Sequence, residues 1–162
     1  GQHETTRMCV EALEKNVSKG MRIADLGCGS GILSVIALLL GAEYAYAVDI
    51  DPNCEKIAYE NAALNGIDKT TYCVECGNVL SDNKLCERLA SEKYDIVVAN
   101  IVADVIIPLS EKVRAFMKED GRFICSGIID FRKGDVEKAL LDNGFEILEV
   151  KHDGEWYAFV CR

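Results

Sequence analysis

The sequence predicts an α/β fold: a doubly wound, mostly parallel seven-stranded sheet closed by a C-terminal antiparallel hairpin. Three observations carry this. Strand-like apolar runs alternate five times with helix-length segments, the pattern of a parallel sheet covered on both faces. A glycine-rich turn, Gly27-Cys28-Gly29-Ser30-Gly31, joins the first apolar run to the next helical segment. At the C-terminal end, His152-Asp153-Gly154 separates two further runs, and Asp-Gly readily takes the positive φ of a tight hairpin turn.

Taken in order, residues 5–16 place Met8, Cys9, Ala12 and Leu13 at the three-and-four spacing of an amphipathic helix. Residues 21–26 form the first strand, 30–40 a helix, 44–48 the second strand, and 52–64 a helix that stops near Asn65-Gly66. Residues 70–74 are the third strand and 82–91 a polar helix with a solvated face. In the fourth strand, 94–99, the unbroken apolar run from Ile96 to Ala99 predicts burial on both faces. A helix over 104–117, a fifth strand over 121–126 and a helix over 131–141 follow, and 145–151 and 155–161 form the hairpin. Right-handed crossovers require the strand order to reverse once, and a doubly wound sheet reverses between strands one and four. Ligands sit above the strand ends at that point.

The chain has 162 residues, enough for one domain with its own core, and no apolar run approaches the roughly twenty residues that cross a bilayer. Its net charge is −9, from 27 acidic and 18 basic residues. Phosphate binding needs clustered Lys and Arg, so a broad nucleic-acid surface is not expected, and a basic protein suits this surface better. Eight cysteines in a chain able to bury a core read as reduced, cytoplasmic thiols. Cys73 and Cys76 have no second pair and no nearby histidine, so no metal site is expected, and Cys28 serves the turn as a small residue.

Within the turn, Gly27, Gly29 and Gly31 let the backbone take positive φ and let a ligand come close, and the following helix offers unpaired N–H groups. The dinucleotide fingerprint needs its third glycine one residue later, which points away from NAD. The second strand runs into Asp49-Ile50-Asp51-Pro52. Asp51, before Pro52, is expected to cap the next helix. Asp49 has no such local task, and a carboxylate at that strand end can accept hydrogen bonds from both hydroxyls of a ribose. Asn100, leaving strand four opposite the glycine turn, is the candidate for the reacting centre.

Seven stretches resemble the bacterial ribosomal protein L-eleven methyltransferases: GQHETTR at 1–7, DLGCGSGIL at 25–33, DIDP at 49–52, ENAALNG at 60–66, ANIVAD at 99–104, SGI at 126–128 and GEW at 154–156. The likeness covers nearly the whole chain. It implies a class I catalytic domain that uses S-adenosylmethionine to methylate amino groups of a ribosomal protein. It further implies that Thr6, Gly27, Gly29, Asp49 and Asn100 contact the cofactor, with Asn100 also at the reacting centre, and that His3 and Thr5 line the site. Nothing here matches the family's N-terminal recognition domain, so a catalytic domain without its docking domain is expected. Asn78 stands where many related methyltransferases carry an acid facing the adenine amine. The residues alone leave open another protein, an RNA or a small molecule as substrate, or a cofactor-binding module without catalysis.

Overall fold

The computed structural model describes residues 2–162, so Gly1, which opens the first matching stretch, lies outside the described residues. Its seven strands are β1 (Arg22–Leu26), β2 (Tyr44–Asp49), β3 (Tyr72–Cys76), β4 (Tyr94–Asn100), β5 (Met117–Ile129), β6 (Ile147–Asp153) and β7 (Trp156–Cys161). They form one sheet in the order β3-β2-β1-β4-β5-β7-β6. The first five run parallel, and β7 is antiparallel to both β5 and β6. The order reverses between β1 and β4, as expected, so the carboxyl ends of these two strands open one crevice.

Helices α1 (Gln2–Asn16), α2 (Ile32–Leu39) and α3 (Cys54–Ala63) cover one face; α4 (Asn83–Glu92), α5 (Ala103–Val113) and α6 (Lys133–Asp142) cover the other. Alternation along β4 divides the core between them. Ile96 and Val98 pack with Cys9, Leu13, Val35 and Ala58, while Val97 and Ala99 pack with Leu85, Ile106, Leu109 and Val136. Each of these aliphatic side chains of β4 is fully buried, and burying a Val or Ile contributes about 1.5–3 kcal/mol. This is why β4 is a rigid platform for the residue that follows it.

Several boundaries differ from the sequence reading. The helix after β2 begins at Cys54, and its N-cap position is held by Asn53 in an αR conformation with no side-chain cap. Asp51 is therefore not the cap. Its carboxylate instead accepts the Asn53 N–H at 2.9 Å, closing a turn through Pro52, the other local bond that an Asp side chain makes. α5 stops at Val113 and passes through a 3₁₀ turn, Arg114–Phe116, and β5 starts four residues earlier than Gly121. A 3₁₀ turn, Asp130–Arg132, likewise precedes α6. The hairpin turns one residue late: Asp153 pairs with Trp156, and Gly154, at φ 60°, takes the first central position.

Candidate cofactor site at the carboxyl edge of the sheet

Past Leu26 the chain turns back on itself at once. Gly27 and Cys28 both donate their N–H groups to the Val48 carbonyl, at 2.7 and 3.0 Å, which binds the turn to β2. Gly27, Gly29 and Gly31 all have positive φ, at 79°, 52° and 81°. Their surroundings differ. A Cβ on Gly31 would stand 2.6 Å from Tyr72 Oη and 2.9 Å from Ala58 Cβ, so this glycine lets α2 start against α3. A Cβ on Gly27 would stand 2.5 Å from Ile101 Cγ2, whereas one on Gly29 would meet nothing within 4 Å. The open side of the turn is thus at Gly29, and Gly27 makes room for Ile101.

Asp49 ends β2 and faces this turn. Its Oδ2 accepts the Gly29 N–H at 2.8 Å and its Oδ1 the Asp51 N–H at 2.9 Å. Asp49 caps no helix, and these two backbone donors hold its carboxylate in one orientation. An ionised carboxylate has about four acceptor positions, so about two remain for hydroxyls.

Beside Asp49 lies a cavity of about 310 Å³, lined mainly by apolar groups, among them Ile50, Val79, Leu80 and Ile101, with Gly27, Asp49 and Asn78 as neighbours. Asn78 Oδ1 accepts the Leu80 N–H at 3.0 Å, which shapes the loop after β3. Its amide nitrogen carries donors as well, so Asn78 offers both kinds of polar contact at the wall. Ile50, Val79, Leu80 and Ile101 were not singled out in the sequence. Ile50 and Ile101 lie in two of the matching stretches, and Val79 and Leu80 show only apolar character in the loop after the third strand.

Asn100 closes β4. Its Nδ2 points at Thr6 Oγ1 at 3.5 Å, the outer reach of a hydrogen bond, so the structure brings together two of the expected residues from distant parts of the chain. Thr5 and Thr6 part company on the helix surface. Thr5 is buried, donates its hydroxyl to the Gln2 carbonyl at 3.2 Å, and accepts the Ser126 hydroxyl on its own carbonyl at 3.1 Å. Thr5 therefore fastens α1 to β5, and Thr6 is half-buried beside Asn100. His3 is exposed in the first turn of α1. Arg7 pairs with Asp153 and Lys151 with Glu11 across to β6, but such exposed pairs contribute under about 1 kcal/mol. The placement of α1 rests on buried Met8, Cys9, Ala12 and Leu13.

Beneath the glycine turn, Asp25 is buried and accepts the Ser34 hydroxyl at 2.6 Å. Burial pushes its carboxyl up to about 6, against the pull of the Ser34 hydroxyl and backbone, with the Asp49 charge adding to the rise. The Tyr72 hydroxyl is buried with no hydrogen-bond partner among the described residues. All eight cysteines are free thiols. Burial raises Cys28 far above the usual thiol range, so this thiol in the turn is a packing group and not a nucleophile. Among the described residues, no group of three or more His, Cys, Asp or Glu side chains could hold a metal ion. No helix among them is long and apolar enough to cross a membrane.

Comparison with known proteins agrees with this geometry. The family model described as Ribosomal protein L11 methyltransferase (PrmA) matches residues 1–162. Proteins named ribosomal protein L11 methyltransferase from Lachnospira eligens and Acetivibrio thermocellus are each 47% identical over the whole chain, which covers 51% and 49% of their lengths. The chain thus spans about half the length of these relatives. Among solved structures, a ribosomal protein L11 methylase from Lactobacillus delbrueckii subsp. bulgaricus superposes with a TM-score of 0.89 at 34% identity, over 100% of this chain and 79% of that one. SMU.776, solved with SAH, shares the fold at a TM-score of 0.81 and 13% identity, over 97% of this chain and 49% of its own. From these matches and the arrangement of Gly27, Asp49 and Asn100, the chain belongs to the ribosomal protein L11 methyltransferase family.

Proposed function

We propose that this chain transfers methyl groups from S-adenosylmethionine to amino groups of ribosomal protein L11. The single observation that carries the reading is the Asp49 carboxylate, fixed by two backbone N–H groups at the mouth of an apolar cavity, with Asn100 leaving the neighbouring strand.

The residues present fit the cofactor. Asp49 keeps free acceptor positions of the kind two ribose hydroxyls fill, and the walls formed by Ile50, Val79 and Leu80 suit a flat heterocycle, with Asn78 at the edge for its polar groups. The open space at Gly29 lets the backbone of the turn come close to a ligand. When bound, S-adenosylmethionine supplies an electrophilic methyl group on a sulfonium that carries its own leaving group.

The chain's residues then position the nucleophile. An amine attacks through its lone pair, so an ammonium must give its proton to water before or on entry. Asn100 is not a base. Its side-chain carbonyl accepts one N–H of the neutral amine and aims the lone pair, and Thr6 and the buried end of β4 hold that amide in place. The net charge of −9 favours approach of a basic protein and disfavours RNA.

The test is transfer of labelled methyl groups to purified ribosomal protein L11, with an RNA and a free lysine derivative in parallel. Label in L11 alone supports the reading; label in RNA, or in the free amine at the same rate, contradicts it.

A further inference from the structure

Asn100 and Ile101 leave β4 gripped between two glycines. On one side the Ile101 Cγ2 methyl occupies the place of a Gly27 Cβ, 2.5 Å from where that atom would stand. On the other, the Ile101 carbonyl oxygen lies 2.7 Å and Asn100 Oδ1 3.1 Å from where Gly127 would carry its Cβ. An approach of 2.7 Å does not form against a real Cβ and one of 3.1 Å is tight, so the Ile101 carbonyl sits where it does because residue 127 has no side chain.

Gly127 is also the point where β5 breaks its pairing. Ser126 pairs with Ala158 and Ile128 with Tyr157, leaving Gly127 unmatched, at φ 90°. This is a β-bulge, a device that re-aims backbone and side chains beside it. Its neighbour Ser126 accepts the Ile101 N–H on its carbonyl at 3.1 Å and donates its buried hydroxyl to the Thr5 carbonyl at 3.1 Å. The bulge therefore touches both elements that meet at Asn100: the end of β4 and the first turn of α1.

We propose that Gly127 is a positioning residue for Asn100. Its missing side chain lets the Ile101 carbonyl and the Asn100 amide oxygen settle on the β5 backbone, and leaves that oxygen open to accept an N–H from the incoming neutral amine. With Nδ2 toward Thr6 and Oδ1 toward Gly127, the amide has one orientation. A methyl at 127 would displace both oxygens by several tenths of an ångström and cover the acceptor. The inference rests on the methyl-transfer reading, deepening it to the orientation of the amine.

The experiment compares the parent chain with Gly127→Ala, measuring S-adenosylmethionine affinity, kcat and KM for ribosomal protein L11, and the Asn100 side-chain N–H₂ resonances, assigned with Asn100→Asp. Gly127→Ala should bind S-adenosylmethionine within about threefold of the parent and lose on the order of 10- to 100-fold in kcat, with the Asn100 resonances shifted. An unchanged kcat, or parallel loss of kcat and cofactor affinity, would overturn the proposal. The dynamics of the Asn100 amide in the unsubstituted chain decide the matter even where the variant does not fold. An amide as rigid as the backbone supports the proposal; one as mobile as an exposed asparagine contradicts it. A parent chain that binds no S-adenosylmethionine defeats the methyl-transfer reading separately, because the amide measurement needs neither cofactor nor substrate.

Discussion

The two walls of the crevice are built by different means. On the β1–β2 side, Asp49 is held by hydrogen bonds from Gly29, in the glycine turn after β1, and from Asp51, in the loop after β2. On the β4–β5 side, Asn100 is held mainly by contact: Ile101 wedged against Gly27 and Gly127, and Thr6 reaching in from α1. A wall made of backbone hydrogen bonds tolerates change at a distance, whereas one made by mutual exclusion of atoms transmits it. The first is suited to gripping a cofactor of fixed shape, the second to holding one amide to within a fraction of an ångström.

Substitutions within the glycine turn test this contrast most severely. Gly27→Ala must strain a φ of 79° and push Ile101 off its seat; these costs of about 1–3 kcal/mol each sum to roughly 2–6 kcal/mol of lost stability. Gly29→Ala bears only the conformational strain, about 1–2 kcal/mol, because its Cβ would meet nothing. Denaturant titration of the two variants should separate them in that order, and equal losses would mean that the wedge at Ile101 carries no energy.

Asn100→Ala comes next. It should cost on the order of 100-fold in kcat while S-adenosylmethionine affinity stays within about threefold, measured by steady-state kinetics and calorimetry. Equal loss of both would make Asn100 part of the cofactor grip and erase the division between the walls.

Asp25, below the turn, sharpens the comparison through pH. Its carboxyl titrates near 6 in the folded chain against an ordinary value of 3.8, so the folded state holds the proton more tightly than the unfolded one. The stabilisation from this group is complete below about 4 and is lost as pH rises through about 6, a change of roughly 3 kcal/mol. Asp25→Asn keeps an acceptor for Ser34 and removes the titration. Between pH 4 and 7 its unfolding free energy should therefore fall less than the parent's by about that amount, measured by urea titration. Identical pH profiles would refute the assignment. Asp51→Ala, which opens the turn before α3, should have the smallest effect, about 0.5–1.5 kcal/mol in thermal unfolding, with a slight loosening of Asp49.

What the sequence disclosed follows the same division. The strand order and the reversal between β1 and β4 follow from an alternation that any doubly wound sheet carries, and the glycine turn and Asp49 are legible because each is a short motif at a strand end. Asp51 was misread because Asp before Pro can close a side-chain turn as readily as it caps a helix, and the choice depends on where the helix axis is placed by α3 packing. Thr5 and Thr6 are adjacent and chemically equal, yet one helical step sends Thr5 into the sheet and Thr6 to Asn100. The wedge of Ile101 between Gly27 and Gly127 leaves no local trace, since it exists only once β1, β4 and β5 lie side by side. The bulge at Gly127 and the early start of β5 are likewise consequences of partner strands.

The most direct test of the whole account is calorimetric binding of S-adenosylmethionine to this chain and to Asp49→Ala. Saturable one-to-one binding that the substitution weakens by on the order of 100-fold, as expected for losing paired hydrogen bonds to a carboxylate, is the predicted result. Binding that is absent from a folded parent chain, or equally tight in both, would contradict the assignment of this crevice as the cofactor site.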